Sequence, residues 1–303
     1  MSDSWKITAY ARKPVIQDAL IMHELDEDFD PEVVITGFEV EPNQPDNWVF
    51  EAYYSHKPGA ADQNALIRLF GGVAPKLTVQ KLAQADWVTA SQQGVDPIRA
   101  GRFYVRTPDH KCHADRTLAD FVIPASQAFG TGQHETTAGC LAMLDLMKRQ
   151  GAVIRNHVDI GTGTGLLSFA AMHLWPCAVA TASDIDPVCE DVVAVNAKTN
   201  HVPIGTGNGA LLMVTADGMV DPVLEVRGPY DLLIANILAG PLVEMAPEFG
   251  KAVIAGGHIL LAGLLTEQEP AVRRAYRRAG FRLAARLVNG DWSILWLRKR
   301  FKV

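Results

Sequence analysis

The chain lacks any uninterrupted apolar run approaching the roughly 20 residues of a bilayer span. No apolar signal-type stretch follows Met1-Ser2-Asp3-Ser4-Trp5-Lys6, so a cytoplasmic protein without membrane contact is expected. Cysteine is scarce, and Cys112, Cys140, Cys177 and Cys189 form no C-x-x-C pair. That excludes a disulfide scaffold and predicts reduced thiols. His110, Cys112 and His113 lie close in sequence, yet no second ligand pair follows at zinc-like spacing, and no metal is expected. Positive charge is in deficit: 28 Lys and Arg stand against 34 Asp and Glu, a formal net charge of -6. Such a balance disfavours direct nucleic-acid binding and suits a basic partner.

What is present fits a soluble globular protein of about two domains: 303 residues, 48% hydrophobic and 20% charged. Residues 1–83 alternate in a way that predicts βαββαβ, with strands near 5–11, 33–41, 48–54 and 76–82 and helices near 14–25 and 60–70. Val34, Thr36, Phe38 and Val40 share one face of the second strand; Trp48, Phe50, Ala52 and Tyr54 share one face of the third. The order is ferredoxin-like, a plan often used for recognition. Asp26-Glu27-Asp28 and Asp30 read as a solvated acidic turn. Residues 84–114 read as a connector, with a short helix around Ala85-Asp86-Trp87-Val88 and an alternating strand around Phe103 and Val105.

Residues 115–303 alternate strand and helix. A helix is predicted near 134–149, then strands near 157–161, 178–184, 210–216, 230–236, 257–264, 281–288 and 292–298. Helices separate the first five, including 187–199 with Val188, Val192 and Val195 on one face and another over 240–252. Asn289-Gly290 is a hairpin signal, so the sheet ends in an antiparallel edge. The result is a doubly wound α/β sheet whose ligand belongs at the carboxyl ends of its parallel strands.

The run Val158-Asp159-Ile160-Gly161-Thr162-Gly163-Thr164-Gly165 joins an apolar strand to a helix, and Ser183-Asp184-Ile185-Asp186 closes the next strand. A dinucleotide fingerprint, G-x-G-x-x-G, would need glycine where Leu166 stands. The tighter G-x-G-x-G spacing suits S-adenosylmethionine, which brings no phosphate to the helix N-terminus. Asp184 is then placed to accept hydrogen bonds from the ribose hydroxyls, with Gly161 and Gly163 beneath the amino-acid moiety. A bare helix-capping turn remains open on this motif alone. Asp231-Leu232-Leu233-Ile234-Ala235 delivers Asn236 to the same edge, as an acceptor-site amide or as a cap of the following helix. Upstream, Phe129-Gly130-Thr131-Gly132-Gln133-His134-Glu135-Thr136-Thr137 leads a glycine-rich loop into a helix.

These motifs, with Asp96-Pro97-Ile98-Arg99-Ala100-Gly101-Arg102-Phe103 and Ile234-Ala235-Asn236-Ile237-Leu238-Ala239-Gly240-Pro241-Leu242, resemble the ribosomal protein L11 methyltransferase (PrmA) family. The resemblance covers roughly residues 84–300 by motif. It implies a class I methyltransferase sheet with a ferredoxin-like substrate-recognition domain before it. It implies S-adenosylmethionine as cofactor, held by Thr137, Gly161, Asp184 and Asn236, with Phe129 packed close and Asp217 toward the adenine amino group. It also implies ribosomal protein L11 as substrate, methylated on lysine ε-amines and its α-amine. Asn236 would orient the amine, and His134 is the one candidate general base. The loop departs from a common family form, Thr-His-Pro-Thr-Thr, by reading Gln133-His134-Glu135-Thr136-Thr137.

Competing readings are a lysine methyltransferase with another protein target and a non-catalytic adenosylmethionine-binding protein, which would need no Asn236. A base methyltransferase would carry an Asn/Asp-Pro-Pro-aromatic segment, whereas Ile237, Leu238 and Ala239 follow Asn236. Arg273, Arg274, Arg277 and Arg278 lie opposite Val272, Tyr276 and Ala279 and read as a solvated helix face.

Overall fold

The computed structural model describes residues 4–26, 29–30, 33–40, 46–72, 74–82, 96–124 and 133–301. The chain divides into two compact units, Met1–Gly94 and Val95–Val303. The acidic residues 27–28, the helix expected at 85–88 and the loop 125–132 lie outside the described residues.

In the first unit β1 (Ser4–Ala11), α1 (Lys13–Leu25), β2 (Val34–Glu39), β3 (Trp48–Tyr54), α2 (Ala60–Leu69) and β4 (Thr78–Leu82) follow in the expected order. The sheet order is β2-β3-β1-β4, with every neighbouring pair antiparallel, the ferredoxin-like plan. Ile7, Ala9, Phe50, Ala52 and Tyr54 line its core with Ile16, Ala19 and Leu66 from the helices. β2 reaches that core through Ile35 and Gly37, which pair with Ala52 and Phe50. The row Val34, Thr36 and Phe38 therefore takes the other face, and Val34 is half exposed. Gly37 marks the covered side because a Cβ there would meet Ile16 at 2.6 Å.

The second unit opens with β5 (Ile98–Ala100), β6 (Phe103–Arg106) and β7 (Ala119–Val122), a small sheet of its own. Helix α3 (Gln133–Arg149) follows, and Arg102 Nε binds Asp145 Oδ1 on it at 2.6 Å. The main sheet is then built from β8 (Asn156–Ile160), α4 (Leu166–Leu174), β9 (Val179–Asp184), α5 (Val188–Thr199), β10 (Leu211–Thr215), α6 (Pro222–Arg227) and β11 (Tyr230–Asn236). It is completed by α7 (Ala239–Glu244), α8 (Ala246–Ala252), β12 (Val253–Leu265), α9 (Glu269–Arg278), β13 (Phe281–Asn289) and β14 (Trp292–Lys299). Seven strands run in the order β10-β9-β8-β11-β12-β14-β13. β10, β9, β8, β11 and β12 are parallel, and β14 lies antiparallel to both β12 and β13. This is the class I methyltransferase arrangement with its antiparallel hairpin. β11 and β12 carry the apolar runs of strands covered on both faces, with α3 and α4 on one side of the sheet and α6 to α9 on the other.

Two local expectations are corrected. The valine stripe of α5 faces solvent, with Val188 and Val195 about 60% exposed, while Val193, Asn196 and Ala197 make the core contact. The helix expected over 240–252 is two helices, because Pro247 lacks the N–H that would continue α7 and instead opens α8.

Candidate functional site

The register of the central strands fixes the site. Ser183 pairs with Ile160 and Ile160 with Ala235, so the next residues along, Asp184, Gly161 and Asn236, stand level at one edge. With neighbouring strands about 4.8 Å apart, Asp184 and Asn236 flank Gly161 at roughly 10 Å from each other. Side-chain alternation directs both toward the α3–α4 face, because Ala182 and Ile234 two residues earlier belong to the core on that side.

The turn between β8 and α4 has left-handed backbone at Gly161, Gly163 and Gly165, with φ of 68, 54 and 84°. A Cβ on Gly161 would lie 2.4 Å from Ile237 Cγ2, and one on Gly165 would lie 2.8 Å from the Phe169 ring. Around Gly163 nothing comes within 4 Å of that position. The first and third glycines thus let the protein close on itself, and the second leaves open space beside a carboxylate. Gly163 N donates to Asp184 Oδ2 at 2.8 Å, and Asp186 N donates to Asp184 Oδ1 at 3.1 Å. An ionised carboxylate has about four acceptor positions, so roughly two remain, enough for a vicinal diol. Asn196 Nδ2 holds the turn from α5 by donating to Thr164 O at 3.0 Å.

Asp217 follows β10, whose Thr215 pairs with Asp184; Ala216 N donates to Asp184 O at 2.8 Å, and Asp217 is exposed. Asn236 ends β11. It does not cap the following helix, whose N-cap is Leu238, and among the described residues its side-chain amide makes no hydrogen bond. Thr137 lies early in α3, next to the buried Thr136. Asn289 Nδ2 donates to Glu135 O at 3.0 Å, which sets the start of α3 over the β13–β14 hairpin at the same edge of the sheet. His134 belongs to α3, but its side chain lies outside the described residues, as does Phe129 altogether.

Four residues here were given no site role from the sequence. Ile185 and Leu238 stand more than 60% exposed beside Asp184 and Asn236, an unusual position for large apolar side chains and a surface fit for a flat ring. Cys189 lies beside Asp184, and its thiol is pushed up to about 12 by burial and by that neighbouring charge. Asp159, fully buried under the turn, accepts from Thr162 Oγ1 at 2.7 Å and Ser168 Oγ at 3.2 Å. Burial pushes its carboxyl up to about 7 against those hydrogen bonds, with Asp184 adding to the rise. A carboxylate two residues ahead of the glycine turn was its visible signal.

The family described as ribosomal protein L11 methyltransferase (PrmA) matches residues 15–300. A protein of that name from Rhodopseudomonas palustris is 37% identical over 281 residues, covering 91% of this chain and 92% of its own. Another, from Mesorhizobium japonicum, is 40% identical over 233 residues, or 76% and 78% of the two chains. Among solved structures, the ribosomal protein L11 methylase of Lactobacillus delbrueckii subsp. bulgaricus aligns with a TM-score of 0.54 at 23% identity. It covers 68% of this chain and 99% of that one, a likeness of fold.

Proposed function

The chain belongs to the ribosomal protein L11 methyltransferase (PrmA) family, and from that membership we propose that it methylates ribosomal protein L11 on lysine ε-amines and the N-terminal α-amine. The observation that carries the reading is the open space at Gly163 beside the half-occupied Asp184 carboxylate. That cradle fits S-adenosylmethionine: Asp184 would hold the ribose, Gly161 and Gly163 the amino-acid end, Asp217 the adenine amino group, and Thr137 the approach from α3. When bound, the cofactor supplies an electrophilic methyl group.

The protein's own work is on the amine. A lysine amine with a pKa near 10.4 is neutral in only about one molecule in a few thousand at pH 7. Partial desolvation at the sheet edge favours the neutral form, and the free amide of Asn236 can accept one of its hydrogens through Oδ1 and fix the lone-pair direction. Alignment of that kind supplies much of the acceleration available to a transfer between two bound partners. His134 is the one histidine of the α3 approach that could take the released proton.

The N-terminal unit is proposed to hold the target. Its two helices cover one sheet face; on the other, Lys6 Nζ and the Tyr53 hydroxyl donate to the buried Glu51 carboxylate and Tyr10 stands 61% exposed, a mixed polar and aromatic face suited to a folded protein. A ribosomal protein as target fits a cytoplasmic site of action, and no helix among the described residues is long and apolar enough to cross a membrane. Labelled-cofactor transfer to free L11, followed by intact-mass analysis, tests the reading. Methyl incorporation into L11 is expected; incorporation into a different protein only, or cofactor binding without any transfer, would select one of the competing readings.

A further inference from the structure

Charge is distributed unevenly along this acidic chain. Residues 269–303 hold ten Lys and Arg against Glu269 and Asp291, whereas the preceding 268 residues hold eighteen against thirty-two. The fold gathers the excess. Arg273, Arg274 and Arg277 on α9 line one concavity of about 370 Å³ together with Arg282 from β13 and Arg300 after β14. Its floor includes Tyr276, Phe281 and Leu297, all buried. Arg273 is paired with Glu269 at 3.1 Å, but among the described residues Arg274, Arg277, Arg282 and Arg300 make no ion pair. Four unpaired guanidinium groups from three segments repel one another around one hollow, an arrangement that a bound anion would relieve.

The hollow is remote from the methyl-transfer edge. Phe281 pairs with Lys299, and Arg298 pairs with His258, which in turn pairs with Leu232 near the start of β11. Arg282 and Arg300 therefore lie at the amino ends of the parallel strands, at the opposite edge from Asp184 and Asn236.

We propose that this arginine-lined hollow is a binding site for the phosphodiester backbone of RNA. One small anion would leave most of the four charges uncompensated, whereas a chain with a charge at every repeat can meet several of them. Guanidinium forks match phosphate oxygens bidentately. The hollow's aromatic residues are buried, so the site has no stacking platform for bases and reads charge and shape without sequence. A lipid surface is disfavoured because the lining offers no cluster of large exposed apolar side chains to insert. The net negative charge elsewhere confines a polyanion to this face. The inference reverses the expectation from overall charge and is independent of the methyl-transfer reading.

The test is fluorescence anisotropy of a single-stranded RNA oligonucleotide titrated with the full chain between 50 and 200 mM salt. Four phosphate contacts predict a log–log slope of about -3, or roughly 60-fold weaker binding across that range. The variant carrying Arg274→Gln, Arg277→Gln, Arg282→Gln and Arg300→Gln should lose most of the affinity and slope while keeping its rate of methyl transfer to free L11. Hydrogen exchange on the unaltered protein gives a second readout that does not depend on the variant folding, with RNA-dependent protection expected within 273–283. The assignment is overturned if RNA fails to bind at 50 mM salt, if the variant binds as well as its parent, or if protection falls elsewhere. It is equally overturned if polyglutamate or phosphatidylglycerol vesicles bind at this face and RNA does not displace them.

Discussion

The carboxylate of Asp184 accepts the backbone N–H of Gly163 at 2.8 Å, so the end of β9 and the glycine turn after β8 are one hydrogen-bonded unit. The same oxygens that would meet the cofactor ribose also hold the turn in shape. Two substitutions separate these roles. Asp184→Asn keeps a neutral acceptor for Gly163 but weakens charge-assisted bonds to the hydroxyls; a rise in cofactor Kd of about 10-fold is expected. Asp184→Ala removes both, and the rise should reach about 100-fold. Isothermal titration with S-adenosylhomocysteine measures it, and equal affinities for all three proteins would remove Asp184 from the site.

Gly161 and Gly163 should fail in different ways. Both have positive φ, where an added Cβ costs about 1–2 kcal/mol. At Gly161 that atom also meets Ile237 Cγ2 at 2.4 Å, so Gly161→Ala is expected to destabilise the fold by about 3 kcal/mol. At Gly163 the space is open, so Gly163→Ala should cost about 1 kcal/mol in urea unfolding yet lose cofactor affinity out of proportion. Undiminished affinity in Gly163→Ala would mean the cradle lies elsewhere.

Much of this architecture was legible in the sequence, for identifiable reasons. Strands buried on both faces, such as Leu232 to Ala235, cannot hide their apolar runs, and Asn289-Gly290 marks the hairpin because only certain residues accept positive φ there. The level placement of Asp184, Gly161 and Asn236 followed from strand–turn–helix order. What failed was the choice of covered side. Val188, Val192 and Val195 are correctly spaced for one face of α5, but spacing does not say which face meets the sheet, and the buried contact goes to Val193, Asn196 and Ala197. In β2 the marker of the core was the smallest residue, Gly37, which a search for large apolar side chains passes over. The arginine-lined hollow was invisible for another reason: Arg282 and Arg300 join α9 only through tertiary structure.

Asn236 gives a test of amine positioning. Its side chain is not a helix cap, so Asn236→Ala should leave thermal stability within about 0.5 kcal/mol, as for substitutions that break no named interaction. The rate of transfer should fall by about 100-fold or more if the amide aligns the nucleophile, with a smaller change in cofactor Kd. Single-turnover kinetics separate the two quantities. A loss confined to cofactor affinity would reassign Asn236 to cofactor binding alone.

His157 and Asp159, two residues apart on β8, impose opposite pH dependences on the fold. His157 is fully buried with neither ring nitrogen hydrogen-bonded, and desolvation, reinforced by Arg227, pushes it down to about 4. The fold therefore favours the neutral ring. Its contribution is fully present above the unfolded value near 6.5 and is lost as pH falls through 4. Asp159 is pushed up to about 7, so the fold favours the neutral carboxyl; that contribution is fully present below about 3.9 and is lost as pH rises through 7. Each range corresponds to about 3–4 kcal/mol at 1.36 kcal/mol per unit, and between pH 4 and 6.5 the two slopes oppose. Asp159→Asn should expose the histidine branch, with stability rising by about 3 kcal/mol from pH 4 to 6.5. His157→Leu should expose the other, with stability falling over the same interval. Urea unfolding at four pH values checks both, and parallel profiles for the two variants would show that these groups do not titrate as their burial requires.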